Sequence, residues 1–216
     1  MKKFIFVFIL FCLAAFPIFG QKRKTIVKSA PRKQTPAPVT EIPAKDWDAI
    51  TDALNREDWT QAALVSRIAL GKLKSENNQK QLARLRYFYI YALAGKVAEG
   101  KTAYAELEKA ANNFIGKEFM TPNRTILADC AGRVNYICAV KGDDQTLRVT
   151  ATDKVATIHL FEYVKLTEKF DVVNNNNQTA SPDGILEKVE SHLTKSNVRI
   201  MRLIFGQGFV QIVHGL

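Results

Sequence analysis

The sequence predicts an α+β protein, with a helical N-terminal half and a strand-rich C-terminal half. Three observations carry that prediction. No proline occurs between Asp46 and Phe119, and the stretch is rich in Ala, Leu, Lys, Glu and Gln, all strong helix formers. From Asn123 onward the apolar period changes to two, as in Val134, Tyr136, Cys138 and Val140, the mark of a half-buried strand. Pro122 falls between the two regimes. The chain accordingly divides into a leader (1–20), a basic proline-rich linker (21–45), a helical region (46–119) and an antiparallel β domain with one helix (120–216).

Four helices are expected in the first half. Trp47, Ile50 and Leu54 recur at helical spacing over 46–56,. A second helix over 60–75 carries Ala63, Arg67 and Leu70 in line, with Thr60 as its cap and Glu76–Asn77–Asn78 as the turn beyond. A third over 79–94 holds Leu82, Leu85, Tyr87, Phe88, Tyr89, Ile90 and Tyr91. It is apolar on most sides and so belongs at the centre; Gly95 suits a cap past its end. A fourth over 97–114 presents Tyr104, Leu107, Ala111 and Phe114 on one face.

The string ALNREDWTQAALVSRIAL, residues 53–70, resembles the tetratricopeptide repeat. Asp58–Trp59 takes the place of that family's turn Asp and aromatic, and Ala62 and Ala69 match its small residues. Glu57 stands where the family often has Gly. A second, fainter copy has Tyr91–Ala92, Gly95 and Gly100. The resemblance covers roughly residues 46–114. It implies a concave helical surface that binds a peptide or protein segment. Trp59, Tyr87, Phe88, Tyr89 and Tyr91 are the residues expected to pack the helices or line that groove.

In the second half, strands are expected at 134–141 and 147–152, separated by the turn Gly142–Asp143–Asp144–Gln145,. Asp153–Lys154 makes another turn, and 155–164 reads as a third strand. Asn174 to Pro182 is a polar loop, and Ile185–Leu193 suits one helix. Val198–Phe205 and Gly208–His214 read as a final hairpin around Gly206–Gln207. A further strand at 124–130 precedes these. Strand, strand, strand, helix, strand, strand is an order that resembles the oligonucleotide/oligosaccharide-binding (OB) fold, a partly open barrel. A plain antiparallel sheet packed on helices is the alternative.

The leader MKKFIFVFILFCLAAFPIFG has a positive start, an apolar run and a small residue at its end, the three-part pattern of a secretory signal peptide. The run is interrupted by Pro17 and is shorter than the roughly 20 residues a spanning helix needs. Export to a bacterial periplasm or the extracellular space is therefore expected. Of the formal net charge of +10, the leader carries +2 and residues 21–45 carry +6, so the body is nearly neutral. That distribution disfavours nucleic acid, which calls for a basic stripe on the folded part. The linker reads as a solvated spacer, or as an electrostatic contact with an anionic surface.

Cys130 and Cys138 are the two cysteines left after the leader. In an exported chain they form a disulfide or stay as two small buried thiols. A tight hairpin at Gly132–Arg133 would set Cys130 opposite Asn135, so a bridge requires a wider loop. Closing it would stabilise the fold by about 2–3 kcal/mol in the chain-entropy model. His159, His192 and His214 are scattered singly, without metal-ligand spacing, and no cofactor motif occurs. Asn123–Arg124–Thr125 and Asn177–Gln178–Thr179 match the glycosylation pattern,. No set of residues supplies nucleophile, base and orienting group together. The expected function is a non-catalytic protein-binding or structural module of the cell envelope, with a protein or peptide partner. An OB-like module binding an oligonucleotide or a glycan is the alternative.

Overall fold

A computed structural model describes residues 41–73, 78–131, 133–151, 160–193 and 199–213. The expected leader, most of the linker, the turn at Glu76–Asn77, the segment 152–159 with its turn Asp153–Lys154, and His214 lie outside the described residues. The order of elements is four helices followed by seven strands, so the α+β class with its helices first is the one observed.

The helices are α1 (Ala44–Asn55), α2 (Trp59–Lys72), α3 (Gln79–Ala98) and α4 (Tyr104–Asn112). Between α1 and α2 the chain reverses at Glu57, which takes a left-handed φ of 58°. Asp58, rather than Thr60, caps α2: its carboxylate accepts the Gln61 N–H, satisfying one of the orphan donors of the first turn. Small residues Ala62, Ala63 and Ala69 are buried along α2, which lets it approach its neighbours closely. The long α3 buries residues on most of its sides, from Leu82 and Leu85 to Ile90 and Leu93, as its all-round apolar sequence requires.

Gly95 is not a cap. It lies inside α3, which continues to Ala98. A Cβ at this position would stand 2.2 Å from Cδ2 of Trp59, so the missing side chain is the space in which the buried indole sits.

The strands are β1 (Glu118–Met120), β2 (Arg124–Ile126), β3 (Tyr136–Val140), β4 (Asp143–Ala151), β5 (Leu160–Leu166), β6 (Thr179–Leu193) and β7 (Arg199–Ile212). They form one mixed sheet in the order β1-β6-β2-β3-β4-β5-β7, and β6 also pairs with β7. The pairings therefore close into a ring through β2, β3, β4, β5, β7 and β6. Closure satisfies strand edges that an open sheet would leave exposed.

Four expectations for this half need correction. The segment 185–193 is not a helix but the second part of β6. Its spacing looks helical because a bulge between Leu186 and Lys188 adds one residue. Leu186 and Val189 then face Phe205 and Leu203, and a period of two reads as a spacing of three. Pairing with β7 thus overrides local helix propensity. Nor is there a hairpin at Gly206–Gln207, since β7 runs straight through it. The glycines there make room for neighbours: a Cβ at Gly206 would meet the Glu187 carboxylate, and one at Gly208 would meet Cγ1 of Val164. The sheet is not wholly antiparallel, because β2–β3 and β5–β7 are parallel. The tight turn before β4 is Lys141–Gly142, with Gly142 at φ 83°, and Asp143 already belongs to the strand.

Parallel pairing of β2 with β3 also settles the cysteine geometry. Parallel strands cannot be joined by a tight hairpin, so the described residues 127–131 and 133–135 belong to a return loop. Cys130 in that loop is bonded to Cys138 of β3, with Cα atoms 6.0 Å apart.

Helices and sheet share one core. Trp59, Tyr87, Ile90 and Leu107 join Phe119, Ile126, Leu147 and Phe205 in a continuous buried cluster. The contact of Gly95 with Trp59 is a sharp test of this packing. Gly95→Ala is expected to lower unfolding free energy by about 1–3 kcal/mol through overpacking. Gly71→Ala is expected to raise it by about 0.5–1 kcal/mol, because a Cβ at that exposed position in α2 meets nothing within 4 Å. Urea denaturation of the full chain measures both.

Candidate functional site

The inward side chains of the ring lie in rows across the strands. The central row is Ile137, Val149, Glu162 and Leu203, partners in register on β3, β4, β5 and β7, each 0% exposed. Above and below Glu162 on its own strand stand Val164 and Leu160, also buried. A carboxyl group thus occupies the middle of an apolar interior, where an unpaired charge is costly.

Its partners come from outside the strand. The Tyr87 hydroxyl on α3 donates to Glu162 Oε1 at 2.8 Å. Arg124 Nη2 on β2 donates to the same Tyr87 oxygen at 3.2 Å. Glu162 Oε2 and Arg124 Nε are buried without a hydrogen-bond partner among the described residues. Burial pushes the Glu162 carboxyl up to about 7, although the Arg124 charge and the Tyr87 hydrogen bond pull it down. Burial, then the negative charge of Glu162, raises the Tyr87 hydroxyl well above its ordinary range. Tyr87 is therefore a hydrogen-bond donor at neutral pH.

Arg124 connects this interior cluster to the surface. It is half-buried and lines a groove of about 710 Å³ between the helices and the sheet. Thr51, Leu54 and Asn55 of α1 and Phe88 and Tyr91 of α3 form one wall. Pro122 to Thr125, with Val134, Asn135 and Tyr136, form the other. Val134 is 40% exposed, and the disulfide ties down the loop that carries it. Aromatic rings, amides and one guanidinium make a lining suited to holding a ligand by contact and hydrogen bonding. Glu162 and Tyr87 lie behind this lining.

The aromatic residues expected to pack or to line a groove separate into two groups. Trp59 packs edge-on to Tyr91, centroids 5.3 Å apart, and is buried. Tyr89 turns toward Phe114 at 6.3 Å. Tyr87 is wholly buried and serves Glu162. Phe88 meets Trp47 edge-on at 6.2 Å, Tyr91 stacks on Tyr87 at 6.2 Å, and both reach the groove. Sequence reasoning missed Glu162 and Arg124. The alternation Leu160, Glu162, Val164 was the available signal, since it puts the carboxyl on the apolar face of its strand. His192 is exposed on β6, and no group of three metal-ligating side chains occurs among the described residues.

A second buried acid, Asp183 on β6, accepts from Gln211 Nε2 at 2.8 Å and from Ser181 Oγ at 3.2 Å. Burial pushes it up to about 6, against the opposing pull of Ser181. No described helix is long and apolar enough to cross a membrane. The chain matches no protein-family model, no curated protein and no solved structure.

Glu162 gives the fold a pH dependence of definite sign. Its carboxyl titrates near 4.5 in the unfolded chain and at about 7 when folded, so the folded state takes up its proton first as pH falls. The penalty for the buried charge is complete above pH 7 and disappears toward pH 4.5. Asp183 acts with the same sign. Stability should therefore rise from pH 8 to pH 5. Glu162→Gln should remove a share of about 2–3 kcal/mol from that rise, as seen in denaturation midpoints at the two pH values. An unchanged slope would show that the carboxyl is not held in this environment.

Proposed function

We propose that this chain is an exported, non-catalytic binding module of the bacterial cell envelope, and that it holds a peptide segment of a partner protein in the groove between α1, α3 and the β2–β3 loop. The observation that carries the reading is the groove itself. Two helices of the helical region meet β2 and β3 of the sheet there, with Phe88, Tyr91 and Tyr136 beside Asn123 and Arg124. Such a lining offers apolar contact together with donors and acceptors for a peptide backbone.

Several features support the helical part of the proposal. Asp58 caps α2, Trp59 and Ala62 are buried, Glu57 has the left-handed backbone a glycine would take at that turn, and Gly95 admits the Trp59 ring. These fit the resemblance to the tetratricopeptide repeat. The Cys130–Cys138 bond fits an oxidising compartment, in accord with the leader. The same setting keeps the basic linker available for contact with anionic envelope surfaces.

Two measurements test the proposal. Protein recovered from cells should lack the leader, reside outside the cytosol and show no thiol at Cys130 or Cys138 until reduced. A photo-cross-linking side chain placed at Val134 should join a protein partner in cells, whereas one at Glu187, away from the groove, should not. Equal adducts from both positions, or none from Val134, would remove the groove from the binding surface. An adduct to glycan would replace the peptide by the alternative ligand.

A further inference from the structure

We infer that the groove is a carboxylate-binding site, with Arg124 as the anchor of an acidic group on the bound peptide. This rests on the groove being the peptide-binding surface. Arg124 is the charged side chain of the lining. A guanidinium has five N–H donors in a planar fork. In Arg124, one Nη1 hydrogen reaches Pro122 O at a long 3.5 Å and one Nη2 hydrogen reaches Tyr87 Oη at 3.2 Å. The buried Nε has no acceptor among the described residues. The second hydrogen on each of Nη1 and Nη2 remains for a further acceptor,.

The countercharge within the fold is indirect. Glu162 bonds Tyr87 rather than Arg124, so the hydroxyl stands between cation and anion. A ligand carboxylate on the groove side can take a two-pronged contact that the buried acid does not occupy. The ligand and Glu162 then share one cation from opposite sides, and binding favours the protonated form of Glu162. The groups acting on Glu162 are Tyr87, with Tyr91 beside it, from α3, and Arg124 from β2. Its register partners on β4 and β7, Val149 and Leu203, are uncharged. Binding should accordingly strengthen as pH falls from 8 to 6, while a peptide carboxylate remains ionised.

The acidic group has two sources, a peptide C-terminus or an Asp or Glu side chain, and three peptide pools separate them. Randomised octapeptides without Asp or Glu are prepared with a free C-terminus and as C-terminal amides, and a third, amidated pool contains Asp and Glu. Each is exposed to the full mature chain carrying a photo-cross-linker at Val134. Labelling by at least one acid-bearing pool should exceed the acid-free amide pool by about tenfold, and which pool does so identifies the source. Arg124→Gln should bring the ratio close to one. The double variant Arg124→Gln/Glu162→Gln, which leaves no unpaired buried charge, should do the same with a retained melting transition. In Glu162→Gln alone the preference for acid should persist and its pH dependence should vanish. Equal labelling by all pools, or a preference that survives in the double variant, overturns the carboxylate site and leaves the groove reading standing. A pH dependence retained in Glu162→Gln overturns the shared-cation account. No labelling by any pool overturns both the site and the groove.

Discussion

The hydrogen bond from Tyr87 to Glu162 is the contact on which the rest of the molecule turns. It places a helix-borne hydroxyl on a carboxyl in the central row of the closed sheet, and so fixes how the helices sit over the strands. An apolar residue at position 162 would continue the row with less cost. The carboxyl instead demands a donor and a nearby cation, and these come from two other elements, α3 and β2. One polar group inside the core thereby sets the relative position of three elements, as buried networks do when they specify a unique packing.

The same arrangement explains why the groove lies where it does. Arg124 has to stand near Tyr87, so β2 lies within side-chain reach of α3. The chain after β2 must then return before entering parallel β3, and its return loop, tied by Cys130–Cys138, forms the outer rim. Groove, disulfide and buried acid are consequences of one register. The guanidinium that lines the groove is the same one that stands beside the buried Tyr87–Glu162 pair in the core.

Irregular strands make the closure attainable. β6 carries two register shifts, after Asp183 and after Leu186, and β7 passes through Gly206 and Gly208. Bulges bend and twist a strand, and glycines admit the close approach of a neighbour. Glu187 lies over Gly206 and Val164 over Gly208, each in the space that a Cβ would otherwise take. The isolated segment looked like a helix followed by a tight hairpin because these devices disguise the strand period.

How much was legible follows from the range of the interactions involved. The four helices, the change of period after Pro122 and the class of the fold were readable, because apolar spacing, propensity and proline placement act within a few residues of chain. Trp59 and Tyr87 were readable as packing candidates for the same reason. The site was not: Glu162, Arg124 and Tyr87 are distant in sequence, and nothing local to any of them announces the other two. Strand order, the parallel pairs, the fate of 185–193 and the pairing of Cys130 with Cys138 were likewise decided by tertiary structure. Each depends on which strand lies alongside, and that is settled only when the ring closes and every inward side chain must find its place in one interior.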